Sequence, residues 1–166
     1  IVQVFDSSAS ELSPNSFQEF SLPYLRWISS HLPKKLRGMG LEEVPMVVFA
    51  KGAWYALEDL CESGYQIVGL DWLQDPVEAA KIAQGRVVLQ GNADPGVLYG
   101  GREAITSVVE NMVKGFWERK RGWIANLGHG KKTPLYRVVL LTSLQGITPS
   151  VDPNDLKFFF EEIHRI

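Results

Sequence analysis

Residues 66–94, QIVGLDWLQDPVEAAKIAQGRVVLQGNAD, hold the stretch whose reading decides the fold. Gln66–Leu70 and Val87–Gln90 are short, continuous apolar runs rather than alternating ones. Such runs suit strands of a parallel sheet covered on both faces. Between them, Asp75-Pro76-Val77-Glu78 supplies a cap, a first-turn proline and an acid at the third position, the pattern of a capping box. The unit therefore reads strand, helix, strand.

The pattern repeats outward. Ile1–Phe5, Pro45–Ala50 and Trp123–Leu127 read as three further buried strands. Ser13-Pro14 opens a helix carrying Phe17, Phe20, Tyr24 and Ile28 at helical spacing, which Pro23 should kink or break. Trp54–Ser63 places Leu57, Leu60 and Cys61 on one face and stops at Gly64. Ile105, Val108, Val109, Met112, Val113 and Phe116 form another stripe. Asp152-Pro153 starts a last helix with Leu156, Phe159, Phe160 and Ile163. With right-handed crossovers, five strand–helix units make either a doubly wound sheet or part of a (β/α)8 barrel. No G-x-G-x-x-G follows a strand, which weakens the nucleotide-binding sheet. A full barrel needs about 250 residues. The chain has 166 and begins at Ile1 inside an apolar run, as expected of a truncated start.

Bulk properties narrow the function. The 45% hydrophobic and 22% charged composition suits one domain, or a piece of one. A net charge of -2 gives no field for nucleic acid or an anionic membrane. Cys61 is the single cysteine, so no disulfide framework and no Cys-based zinc site is expected. A reducing compartment follows, and the cytoplasm is the expected location. The longest apolar runs fall far short of the roughly 20 residues a membrane helix requires.

In a barrel, chemistry collects at the carboxyl ends of the strands. Those ends carry Phe5-Asp6-Ser7, Lys51, Asp71-Trp72, Asn92 with Asp94, and Asn126 with His129. Each also has a plain structural reading: Asp6 and Ser7 as turn residues, Lys51 as a solvated charge, Asp71 and Asp94 as helix caps. His129 lies between Gly128 and Gly130, whose freedom lets the backbone approach a ligand closely.

The motifs QVFDSSASELSP, PMVVFAKG, GLDW, LQGNADPGVLY and ANLGHG follow in that order and spacing. With them the chain resembles the C-terminal portion of uroporphyrinogen decarboxylases, and GITPSVDP with FFFEEIHRI looks most like fungal members. The resemblance implies a partial (β/α)8 barrel, about the last five units, from an enzyme that works as a homodimer. It implies removal of the four acetate carboxyls of uroporphyrinogen III to give coproporphyrinogen III, in haem biosynthesis, without cofactor or metal. It further implies that Ser7, His129 and Phe5 bind substrate. No catalytic residue is carried onto this chain, because the family's RQAGRY motif and central aspartate do not occur in it.

One segment departs from the family. GHG would join ITPSVDP directly if residues 131–146 were removed, so this segment reads as an insertion or a retained intron. YRVVLLTSLQ within it is β-prone. Two other functions compete with the decarboxylase. One is a related barrel methyltransferase, corrinoid-linked and using zinc, which needs a Cys and His ligand cluster. The other is a truncated product without catalysis.

Overall fold

A computed structural model describes residues 1–116, 122–127, 132–133, 140–141 and 150–165. Five parallel strands alternate with helices: β1 (Val2–Asp6), β2 (Met46–Ala50), β3 (Ile67–Gly69), β4 (Val88–Ala93) and β5 (Trp123–Leu127). They lie in the sheet in chain order, which is the arrangement of consecutive barrel units. Two short strands, β6 (Lys132–Thr133) and β7 (Leu140–Leu141), extend it beyond β5. Of these, β7 runs parallel to β5 and β6 antiparallel to β7. The remainder of residues 131–146 lies outside the described residues.

The helices are α1 (Pro14–Phe20), α2 (Leu22–Gly38), α3 (Leu57–Cys61), α4 (Pro76–Ala83), α5 (Gly101–Phe116) and α6 (Pro153–Arg165). Their starts follow from local chemistry. Ser13 accepts a hydrogen bond from Ser16 N–H and caps α1. Asp75 does the same from Glu78 N–H at α4. The expected capping box is only half made there, because the Glu78 carboxylate pairs with Lys81 instead of reaching back. The proline break is real: α1 ends before Ser21, and Pro23 sits in the first turn of α2. Phe17 is buried, but Phe20 and Tyr24 are 61% and 67% exposed.

The sheet's two faces are built differently. On the outer face, Val48, Val68, Leu89 and Ala125 join Leu57, Leu60, Ile105, Val109, Met112 and Phe159 from the helices in one continuous core. Tyr65 adds a polar tie by donating its hydroxyl proton to the Leu25 carbonyl of α2, and burial pushes its phenol up to about 12. Glu162 of α6 accepts from Thr106 of α5 and from Arg165. On the inner face, Val47, Ile67 and Ile124 form a small separate cluster, with Val88 against it.

Candidate functional site

Alternation along the strands sends every second side chain inward. Above the small apolar cluster, the register aligns Phe5 with Phe49, Phe49 with Gly69, and Gly69 with Gln90. Gly69 leaves room for its neighbour: a Cβ there would lie 3.0 Å from Phe49 Cδ2. The Phe49 ring in turn meets Phe5 edge to face, with centroids 6.2 Å apart. Phe5 remains 56% exposed. The rim of β1 thus presents an open aromatic platform. Ser7 follows directly in the turn after β1 and is exposed.

The loops that leave the strands are fastened to one another. Lys51 N–H donates to the Asp6 carbonyl, and Ser21 Oγ donates to the Asp6 carboxylate. Asp71 is buried, and both its carboxylate oxygens are used by backbone: Oδ2 by Gly52 N–H and Oδ1 by Leu73 N–H. Asn92 Nδ2 donates to the Asp71 and Gln74 carbonyls. Asp71 is therefore not a helix cap but a clamp between the loops after β2 and β3. Asp94 does cap, accepting from Gly96 N–H at the start of the short 3-10 turn Pro95–Tyr99. Gly52 sits at φ +76°, and an added Cβ would lie 2.5 Å from Ser10 Cβ, so no larger residue fits the clamp.

Two inward residues carry unpaired oxygens. Gln90 Oε1 and Asn126 Oδ1 are buried and find no hydrogen-bond partner among the described residues. Buried acceptors are usually satisfied, so this interior is built for donors that the described residues do not supply. The sequence reading placed Asn126 at a strand end but overlooked Gln90 and Phe49. The signal for Gln90 was a single amide inside the apolar run VVLQ. His129 lies outside the described residues, so of the expected substrate residues only Phe5 and Ser7 are placed, both at the β1 end.

Among the described residues, the Cys and His that a soft-metal site needs are dispersed. Cys61 is buried on the core side of α3, and burial pushes its thiol up to about 11. His31 and His164 lie on α2 and α6. Among the described residues no group of three or more His, Cys, Asp or Glu is placed to hold a metal ion. Among them, too, no helix is long and apolar enough to cross a membrane.

A family model described as uroporphyrinogen decarboxylase (URO-D) matches residues 1–166. The uroporphyrinogen decarboxylase of Schizosaccharomyces pombe is 45% identical over 166 residues, covering 99% of this chain and 42% of that protein. The Danio rerio protein of the same name is 46% identical over 163 residues, covering 98% of this chain and 39% of its own length. The Homo sapiens one is 38% identical over 164 residues, covering 99% and 40%. The chain thus spans about 40% of the length of these relatives. Among solved structures, a methyltransferase from Methanosarcina mazei superposes with a TM-score of 0.68 at 17% identity, covering 98% of this chain and 41% of that one. That likeness is one of fold.

Proposed function

The chain belongs to the uroporphyrinogen decarboxylase family, and from that premise we propose that it supplies the later units of a barrel that decarboxylates uroporphyrinogen III to coproporphyrinogen III. The observation that carries the proposal is the family match over the whole chain, joined to an inner face that ends in an open aromatic and hydroxyl rim.

Loss of CO₂ from an acetate arm leaves an electron pair that must be received. Protonation of the pyrrole carbon next to the arm makes the ring a cation, which takes that pair into an exocyclic double bond. A second proton then adds to the arm carbon, the ring carbon gives up its own, and a methyl group remains. No redox change occurs, so the ring itself can serve as the sink and no cofactor is required. The protein's part is to fix the macrocycle and to stabilise the cation with preorganised groups.

In this scheme Phe5 packs against the macrocycle, Ser7 donates a hydrogen bond to a carboxylate arm, and His129 faces another. The group that stabilises the cation belongs to the part of the family's length this chain does not span. The chain alone is therefore inactive, and the working enzyme is a cytoplasmic homodimer of complete barrels. Residues 131–146, which follow His129 in the chain, are an insertion or a retained-intron segment.

Anaerobic assay of coproporphyrinogen formation tests this. The chain alone gives no product, whereas the chain joined to the remaining family segment gives product. In that complete enzyme, His129→Ala lowers turnover without loss of folding. Wild-type turnover by a folded His129→Ala enzyme removes His129 from the site. No turnover by the complete wild-type enzyme defeats the proposal.

A further inference from the structure

The turn after β2 carries a cation without a counter-ion. None of the five parallel strands contains a lysine or arginine, and within the three residues that follow each of them Lys51 is the sole one. Lys51 makes no ion pair with any described residue. It is nevertheless partly buried. An ammonium drawn partly out of water is usually paired, so this one lacks an anion.

Its direction follows from the sheet. Val47 belongs to the inner cluster, whereas Val48 and Ala50 belong to the outer core. Side chains alternate along a strand, so Lys51 continues the inner row of Val47 and Phe49. On β1, Ser7 continues the row of Phe5 in the same way. The two strands are paired up to Asp6 and Ala50, and the hydrogen bond from Lys51 N–H to the Asp6 carbonyl carries the pairing one residue further. Lys51 and Ser7 thus stand side by side beyond Phe49 and Phe5, on strands about 5 Å apart.

The neighbouring carboxylates are committed elsewhere. Asp6 lies between Phe5 and Ser7 and so faces the other side, where it accepts from Ser21 Oγ. Asp71 spends both oxygens on the Gly52 and Leu73 N–H groups. The same bonds pin the backbone at Lys51: its own N–H on Asp6 and the next one, of Gly52, on Asp71. The side chain is anchored at its base, and its ammonium has no anion among the described residues.

We propose that Lys51 is a further substrate-binding residue, whose ammonium takes a carboxylate arm of the tetrapyrrole acid jointly with Ser7. The proposal rests on the decarboxylase reading of this face. The Ser7 hydroxyl donates to one carboxylate oxygen and the Lys51 ammonium to the other, which adds the positive charge that a hydroxyl lacks. A lysine suits arms that shorten as the reaction proceeds. Its flexible stem and rotatable donors follow the carboxylate, whereas an arginine fork holds one plane.

The test uses the complete enzyme, the chain joined to the remaining family segment, with uroporphyrinogen III under anaerobic conditions. Lys51→Met and Lys51→Gln are expected to raise the apparent KM at least about tenfold with kcat changed less than about threefold, the pattern of lost uniform binding. Lys51→Arg is expected to recover most of that loss, because the charge returns. Salt separates an ion pair from packing: rising ionic strength is expected to increase the wild-type KM more steeply than that of Lys51→Met. Lys81→Met, at an exposed position of α4, changes neither constant. Equal denaturant midpoints show that each variant keeps the fold. An unchanged KM in both Lys51→Met and Lys51→Gln overturns the proposal. So does a crystal structure of the complete enzyme in which a carboxylate of the protein pairs with Lys51. Binding is read apart from turnover, by anaerobic titration calorimetry. An enzyme that binds uroporphyrinogen III through Lys51 and releases no product defeats the decarboxylase proposal alone. Normal turnover that is indifferent to Lys51→Met defeats this one alone.

Discussion

The outer and inner faces of the sheet are made from the same strands, yet the described residues close only one of them. The outer face is closed by helices that the chain's own crossovers bring back, and its core runs unbroken from Phe17 to Phe159. The inner face holds a small apolar cluster, then an exposed Phe5 and two buried amide oxygens without hydrogen-bond partners among the described residues. The difference teaches where stability and function reside. Local connections build the scaffold. The inner face leaves acceptors open to groups beyond the described residues.

The largest break in this contrast comes from the outer core. Phe159 is fully buried, so Phe159→Ala is expected to cost about 3–5 kcal/mol in denaturant unfolding of the assembled protein. The rim clamp comes next. Asp71→Ala orphans the Gly52 and Leu73 N–H groups, with an expected cost of about 2–3 kcal/mol and faster amide exchange at residues 52 and 73. On the inner face, Gly69→Ala presses on the Phe49 ring and is expected to cost about 1 kcal/mol, while displacing Phe49 and Phe5 in a crystal structure. An unchanged Phe49 position would show that the platform does not depend on that gap.

Acid sharpens the contrast from the outer side. The Arg165 guanidinium, and after it the Thr106 hydroxyl, hold the Glu162 carboxyl below its ordinary value of 4.5. A depressed folded-state value stabilises the protein above the ordinary carboxylate range, and the contribution fades as pH falls through the depressed value. Glu162→Gln is therefore expected to flatten the acid limb of the stability curve, measured by thermal melts from pH 6 downward. The smallest stability effect belongs to Phe5. Being largely exposed, Phe5→Ala is expected to shift stability by less than about 0.5 kcal/mol while raising the apparent KM of the complete enzyme. A large stability loss with unchanged KM would make Phe5 scaffold rather than platform.

Much of the scaffold was legible because β1 to β5 lie in short, largely apolar runs and the starts of α1 and α4 carry their own caps. Trp123–Leu127 was read with its observed bounds, and Ser13 and Asp75 cap as their sequence contexts suggest. Phe20 shares α1 with buried Phe17, and Tyr24 shares α2 with half-buried Ile28, yet both are exposed, because helical spacing alone does not say how wide the buried face is. The clamp role of Asp71 was not legible, since its partner Gly52 lies nineteen residues away and is chosen by the register of β2 with β3. Gln90 was passed over because one amide in an apolar run does not break the run. Only the strand's alternation shows that it points inward. Ser7 and Phe5 came from the resemblance; the structure adds that both lie at the open end of β1.

The central claim is that the inner rim, and not the outer scaffold, receives the tetrapyrrole acid. A crystal structure of the completed barrel with coproporphyrinogen bound tests it most directly. Density for the macrocycle is expected over Phe5, with Ser7 and His129 each within hydrogen-bond reach of a carboxylate arm. Macrocycle density away from the inner face, or Ser7 and His129 on opposite rims with packed protein between them, would contradict it.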